Sequence, residues 1–403
     1  MKELYIGILR ETKNPPERRT PLPPASAALL MRKYPFVHLV IQPSEIRAFS
    51  NQEYEAVGVL LQEDLQECDF LLGVREPAPN TLLANKSYFF FSHTAKKQEA
   101  NKQLLRKCIE KKITLHDYEF LYDRDGRRIV SMGYWAGIVG CYNAFRAVGE
   151  KYGTFELKPA SQCNSVSDLY AALASVYLPK SYKIVMTGGG KVSQAVIDVF
   201  QNIGIEKITP QHFLKYRGLE AVFTQLDPWH YSQQKSGEAF DLDHYFRCPS
   251  AFESKFAEYG NNADMLITAH YWPAGGPRLL EPADFASGEF SLQIIADISC
   301  DLNGPLPSTL RVSTIESPFY GFHKTDAVEV APFSENAVTV MAIDNLPAEM
   351  PRAASEDLGK SLVDVFFPIF LGSSSVRLIE NSIICSNGVL SERFGYLQSW
   401  LDS

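Results

Sequence analysis

Residues able to do chemistry fall into two groups along this chain. One is the stretch TGGGKVSQ, in which Gly188, Gly190 and Ser193 keep the spacing Gly-x-Gly-x-x-Ser. The other is a set of charged and titratable side chains nearer the N-terminus: Lys13, Glu17, Arg18, Arg19, Arg75, Glu76, His93, Lys96, Asp117 and Glu119. Glycines permit a tight turn and close backbone approach, and the free N–H groups of a following helix attract an anion. The first group is therefore suited to a pyrophosphate. It is not a P-loop, because Lys191 is followed by Val192 and not by the hydroxyl that would hold magnesium. Histidine titrates near neutrality, so His93 can donate or accept a proton at working pH. Arginine grips a planar carboxylate through two N–H groups, which gives Arg18 or Arg19 a natural ligand. Each residue also has a plainer role: a tight turn for the glycines, a surface position for His93, a solvated helix start for Lys96, a turn cap for Asp344. His93 is set apart by the run Tyr88-Phe89-Phe90-Phe91 before it, which should hold it rigidly.

Several function classes are excluded. There is no Gly-x-Ser-x-Gly elbow and no HExxH, so hydrolase chemistry has no residues to stand on. The seven cysteines are scattered without a CxxC pair, so no metal site and no disulfide framework is expected. A net charge of −8 and a pI near 5.6 argue against nucleic acid as a partner. The N-terminus turns charged too early for a signal peptide, and the longest apolar run, 365–371, is too short to span a bilayer. A cytoplasmic protein with small-molecule partners and no membrane is the expectation; a homo-oligomer is left open.

The elements that must position these residues alternate between strand and helix. Strands are expected at 4–9, 37–41, 70–74, 88–91, 113–119 and 128–132, with helices near 25–32 and 96–111. A small-residue helix follows from 133, with Gly133, Ala136, Gly137 and Gly140 on one face where another backbone could pack. A second α/β series starts at the strand before Gly188 and continues with strands at 206–209, 265–268, 293–298 and 337–343. Ser355 is expected to cap a helix running to about 371, and Asn387-Gly388 to turn a short hairpin. This pattern predicts an α/β protein of two Rossmann-like, doubly wound parallel-sheet domains flanking a cleft. The first is discontinuous, 1–150 with 346–403, and carries substrate and catalysis; the second, 151–345, binds a dinucleotide and holds an insertion near 216–262. Ligands in such sheets lie beyond the carboxyl ends of strands, where the charged residues named above fall.

The strings RETKNPPERRTPLPP, GVREP, YFFFSHTAKKQEAN and DRDGRRIVSMGYWAG, followed by TGGGKVSQ, HYWPAGGPRLL, IADISCD, MAIDNLPAEMP and SIICSNGVL, carry a family resemblance. In that order they resemble the lysine–2-oxoglutarate reductases. These are the lysine-forming saccharopine dehydrogenases and the N-terminal half of the aminoadipic semialdehyde synthases. The likeness runs over essentially the whole chain. ERRTPLPP and SHT are also similar to the wider superfamily of alanine dehydrogenase and pyridine nucleotide transhydrogenase. The resemblance implies an NAD(P)-dependent oxidoreductase of lysine metabolism. L-lysine and 2-oxoglutarate would condense to an imine, which a nicotinamide reduces to saccharopine.

By position, the family's catalytic histidine falls on His93 and its substrate-binding residues on Lys13, Glu17, Arg19, Lys96, Glu119 and Arg128. The cofactor turn falls on Gly188, Gly190, Lys191, Val192 and Ser193, and Asp344 matches the aspartate beside the nicotinamide. Two departures stand out. The family's acid/base lysine falls on Arg75, whose guanidinium, with a pKa above about 12, cannot shuttle a proton. The strand expected at 206–209 ends in Thr209-Pro210-Gln211 without a carboxylate for a ribose, while Lys215 and Arg217 follow, so NADP(H) is favoured over NAD(H). The alternatives are an alanine-dehydrogenase-like enzyme or a silent nucleotide- or amino-acid-binding homologue.

Overall fold

The structure, a computed structural model, describes residues 3–123, 125–372 and 379–403. The chain divides into two compact units, Met1–Met132 with Pro351–Ser403, and Gly133–Met350.

The first unit opens with strands β1 (Leu4–Ile8), β2 (Val37–Ile41), β3 (Leu60–Leu61), β4 (Phe70–Arg75), β5 (Ser87–Phe91) and β6 (Thr114–Asp117), all parallel to one another. Helix α1 (Pro24–Lys33) joins β1 to β2, and α2 (Lys102–Glu110) precedes β6. β4 and β5 are nearly continuous apolar runs, as strands covered on both faces must be. β5 shows the period of two: Phe89 enters the core under α1, while Tyr88 and Phe90 enter the opposite core, with Leu104 and Leu105 of α2. Helix α2 is shorter than the expected 96–111; the turns Thr94–Lys96 and Glu99–Asn101 lead into it. The strand expected at 128–132 does not form. Only an isolated bridge pairs Tyr122 with Arg128.

The second unit starts with α3 (Gly133–Tyr152), then β7 (Lys183–Thr187), α4 (Lys191–Asn202), β8 (Glu206–Lys207), β9 (Val222–Leu226), β10 (Ser232–Gln234), β11 (Phe252–Ser254), β12 (Met265–Thr268), β13 (Ile294–Asp297), β14 (Phe319–His323), β15 (Glu329–Val330) and β16 (Ala337–Met341). Its main sheet runs β15-β14-β16-β13-β12-β7-β9-β8, and β10 and β11 pair separately. All five residues of β7 are buried, which suits the centre of a parallel sheet. α3 was expected in the first domain. It belongs here because its glycines lie on this unit: a Cβ on Gly137 would come within 2.3 Å of the Val192 carbonyl on α4, and one on Gly140 within 2.5 Å of Ile298. The unit boundary therefore falls at 132/133, and the second at 350/351.

The chain returns to the first unit with α5 (Pro351–Ser361), β17 (Ile383–Ser386) and β18 (Val389–Leu390). The first sheet then reads β18-β17-β6-β5-β4-β1-β2-β3. Asn387 and Gly388 have φ of 51° and 86°, the left-handed pair that a two-residue hairpin turn requires. Ser355 does not cap α5. It sits inside the helix, where its Oγ accepts the Thr20 N–H at 2.9 Å and donates to the Pro351 carbonyl at 2.6 Å. Among the described residues, no helix is long and apolar enough to cross a membrane.

Candidate active site and dinucleotide turn

In the first unit the charged residues gather at the carboxyl ends of β1, β4, β5 and β6. After β1, Glu17 and Arg19 form a buried bidentate pair, with Glu17 Oε1 accepting Arg19 Nε at 2.8 Å and Oε2 accepting Nη2 at 2.5 Å. Burial alone would raise the Glu17 pKa. The charge and hydrogen bonds of Arg19, with a smaller contribution from Arg75, overcome it and hold the carboxylate below its ordinary value. Lys13 Nζ lies 2.5 Å from Glu76 Oε1, and Arg75 Nε lies 3.4 Å from the other oxygen of that carboxylate.

Arg75 ends β4 at a register break against β5. There Glu11, buried behind it, accepts the backbone N–H groups of Val74 at 2.6 Å and Arg75 at 3.1 Å. A carboxyl group thus satisfies two backbone N–H groups at the end of the strand. Burial pushes Glu11 up to about 8 despite those two donors.

His93 follows β5 in a left-handed conformation, φ 52° and ψ 14°, and its Nδ1 is buried without a hydrogen-bond partner. Burial lowers its pKa. Glu119 opposes this, while Arg75 and Lys96 add to it. Glu119, after β6, pairs with Lys96 at 3.0 Å. Burial would raise the Glu119 pKa, but Lys96, His93 and Arg128 together pull it down. Arg128 is exposed, two residues after the turn that begins at Asp125. The first unit thus brings together an imidazole held neutral, two carboxylates held ionised and a ring of cations. Such an arrangement can bind carboxylates and move a proton at one nitrogen. Asp117, whose carboxylate is bonded to both the His93 and Glu119 segments, lies beneath.

In the second unit the glycine turn joins β7 to α4. Gly188 has φ +99°, and a Cβ there would come within 2.4 Å of the Ala269 carbonyl, so only glycine fits. A Cβ on Gly190 would meet nothing, and Gly190 caps α4 without a side-chain hydrogen bond. The first N–H groups of this twelve-residue helix have no intrahelical acceptor and no side-chain cap, as a pyrophosphate needs. Lys191 is exposed and Val192 half-buried at this helix start. Ser193 is fully buried and its hydroxyl donates to the Ala269 carbonyl at 3.3 Å, which ties the start of the helix to the sheet. His270, after β12, is likewise internal: its Nδ1 lies 2.6 Å from Thr187 Oγ1, and burial pushes it down to about 4. Asp344, after β16, is exposed near Cys300. Among the described residues, no group of three or more His, Cys, Asp or Glu side chains is placed to hold a metal ion.

One acidic residue escaped the sequence reading. The strand bonded to β7 is β9, not the expected one at 206–209; β8 lies beyond β9 at the sheet edge. β9 ends at Leu226, and the next residue is Asp227. Asp227 Oδ1 lies 3.1 Å from where a Cβ on Gly189 would stand. Lys215 and Arg217 follow the edge strand, and Arg217 bonds the carbonyls of Leu214 and Tyr216. The premise for NADP(H) therefore falls, because it took the wrong strand for the neighbour of β7. The available signal was the apolar run VFTQL followed by Asp-Pro, hidden inside the stretch read as an insertion.

Residues 7–139 match the family described as Alanine dehydrogenase/PNT, N-terminal domain. The chain is 30% identical to the mitochondrial alpha-aminoadipic semialdehyde synthase of Rattus norvegicus, covering 99% of this chain and 48% of that protein. It is 23% identical to the saccharopine dehydrogenase [NAD(+), L-lysine-forming] of Emericella nidulans, covering 89% of this chain and 90% of that one. Its fold is similar to that of an L-alanine dehydrogenase, with a TM-score of 0.67 at 17% identity over 99% of both chains. The chain spans about half the length of the semialdehyde synthases it matches.

Proposed function

We propose that this chain, with its alanine dehydrogenase/PNT N-terminal domain at residues 7–139, is an NAD(P)-dependent oxidoreductase that joins L-lysine to 2-oxoglutarate and reduces the imine to saccharopine. The single observation that carries the reading is the cluster at the strand ends of the first unit, where neutral His93 stands among Arg75, Lys96 and Glu119. The likeness to semialdehyde synthases over 99% of the chain supports the choice of substrates.

The condensation joins an amine to a dicarboxylate and leaves a product with three carboxylates, so it needs several cations. Arg19, Arg75, Lys96 and Arg128 are assigned to substrate carboxylates, with Glu17 orienting Arg19 and Glu119 orienting Lys96. The lysine ε-ammonium gives up one proton to become the attacking amine, a second passes from nitrogen to the new alkoxide to give the carbinolamine, and the hydroxyl takes back the first as it leaves as water. His93, neutral at working pH, takes the first and returns it; Arg75 contributes charge only. Gly188, Gly190 and the start of α4 would hold a nicotinamide cofactor, which when bound would supply the hydride for the imine.

We assign the cofactor as NAD(H) in preference to NADP(H). A carboxylate at the end of the strand beside β7 accepts the two ribose hydroxyls and repels a 2′-phosphate. Asp227 has that place.

Purified protein should oxidise NADH only when L-lysine and 2-oxoglutarate are both present. Turnover with pyruvate and ammonia, but not with that pair, moves the assignment to an alanine-dehydrogenase-like enzyme. A second reading, a silent binding homologue, is favoured by one observation, the arginine at 75. Activity that appears only in Arg75→Lys supports that reading.

A further inference from the structure

We infer that Asp117 is the positioning residue of this site, holding both His93 and Glu119 in place. The inference rests on the reading of His93 as the proton-transfer group. Asp117 ends β6 and is completely buried. Its Oδ2 accepts the Ser92 backbone N–H at 3.1 Å and the Ser92 hydroxyl at 2.5 Å. Its Oδ1 accepts the backbone N–H of Glu119 at 2.8 Å. One carboxylate therefore fastens the residue before His93 and also the backbone of Glu119.

The rest of the loop extends the clamp. Ser92 Oγ lies 2.8 Å from Thr94 Oγ1 and accepts the Thr94 N–H at 3.3 Å, while Asn101 Nδ2 donates to the Ser92 carbonyl at 3.1 Å. His93 is thus bracketed by two bonded residues and kept in the left-handed region, which costs energy for any residue with a Cβ. The His93 ring makes no hydrogen bond at Nδ1, so its place is set by its backbone and by packing on Phe91. A buried carboxyl group paired with no cation is expensive, and burial pushes Asp117 up to about 6. Packing alone gives no reason for an acid here. A group with acceptors on two sides, each facing backbone N–H donors from a different segment, does. Asparagine would turn an NH₂ toward one of those donors.

The test uses the full-length protein with ¹⁵N-labelled histidine and the variant Asp117→Asn. The groups whose charge acts on His93 are Glu119, Arg75, Lys96 and Glu76, and all are retained. Released from the clamp, His93 should titrate closer to the ordinary histidine value, with a changed tautomer ratio. In kinetics kcat should fall ~10- to 100-fold with the KM for NADH unchanged, as expected when a reacting group is displaced. In a His93→Gln background the same substitution should cost clearly less than in the wild type, because its effect through His93 is already gone and only that through Glu119 remains. Ser92→Ala, which removes only the hydroxyl, should shift the His93 titration in the same direction and serves if Asp117→Asn does not fold. An unmoved His93 titration in a folded variant, or an equal loss in the His93→Gln background, overturns the inference. If wild-type protein does not turn over lysine and 2-oxoglutarate, the proposed function fails. The NMR result still decides the clamp.

Discussion

Arg75 and Asp227 make opposite demands on the same reaction. Arg75 removes a titratable group, which concentrates proton transfer on His93. His93→Gln should therefore lower kcat by ~10²- to 10⁴-fold, the usual weight of a general acid/base. Because burial holds the His93 pKa below its ordinary value, the acid limb of the wild-type pH–rate profile should lie below pH ~6.5 and vanish in the variant. Under the proposed NAD(H) assignment, Asp227 would disfavour NADP(H) by repelling its 2′-phosphate. Asp227→Ser should shift the ratio of kcat/KM for NADH over NADPH by at least ~10-fold toward NADPH, which corresponds to about 1.4 kcal/mol. An unchanged ratio would remove Asp227 from the cofactor site. At this scale the sequence was partly readable. His93 announced itself because a rigid apolar run precedes it. Asp227 did not, because its role depends on which strand lies beside β7, and strand order is a long-range property. Glu11 was invisible as a positioning group for the same reason, since it accepts backbone N–H groups of β4, and so was the long-range bond of Asp117 to Ser92 after β5.

The glycine turn is the element on which the second unit's site depends, and its limits are set by backbone. Gly188→Ala places a Cβ at φ +99° and within 2.4 Å of the Ala269 carbonyl, which no side-chain motion can relieve. It should lower stability by ~1–3 kcal/mol and weaken NADH binding together, measured by thermal shift with and without the nucleotide. Gly190→Ala meets open space, so it should leave stability nearly unchanged and reduce only the binding. Elements with strong local signals were legible from the sequence. β2 and β12 fall where the apolar runs place them, and Asn387-Gly388 turns the hairpin it announces. The elements that differed were decided by tertiary contact. The segment 128–132 has an apolar stretch, but its Ile129 and Val130 are buried in the core of the first unit without pairing as a strand. Ser355 looks like a cap, yet α5 begins earlier, at Pro351, and uses the hydroxyl to hold Thr20.

Across the whole molecule, buried ionisable groups set the pH range of stability. Burial raises Glu11 to about 8, Glu349 to about 7 and Asp117 to about 6, so the folded protein keeps protons that the unfolded chain releases. Their stabilising effect is complete below the ordinary carboxylate pKa and is lost as pH rises through those values. Burial lowers His116 to about 3 and His270 to about 4, which has the opposite sign: stability is present above ~6.5 and is lost as pH falls below it. Above pH 6.5 only the acids still act. The urea midpoint should therefore fall between pH 6.5 and 8.5, and Glu11→Gln should flatten that fall, since each group in transition contributes about 1.4 kcal/mol per pH unit. A midpoint independent of pH over this window would refute the assignment of these groups as buried and protonated.

The hairpin of β17 and β18 closes the first sheet against β6, yet it is separated from β6 by the whole of the second unit. On a ribosome this fixes an order of events. Residues 133–350 are contiguous and can complete their sheet as soon as they emerge. The strands β1 to β6, although synthesised first, must wait with β6 as an open edge until residues 383–390 arrive. The segment that carries His93 and Asp117 is made before the second unit, and its sheet is sealed after it. During that interval its unpaired edge is the one a chaperone would have to shield.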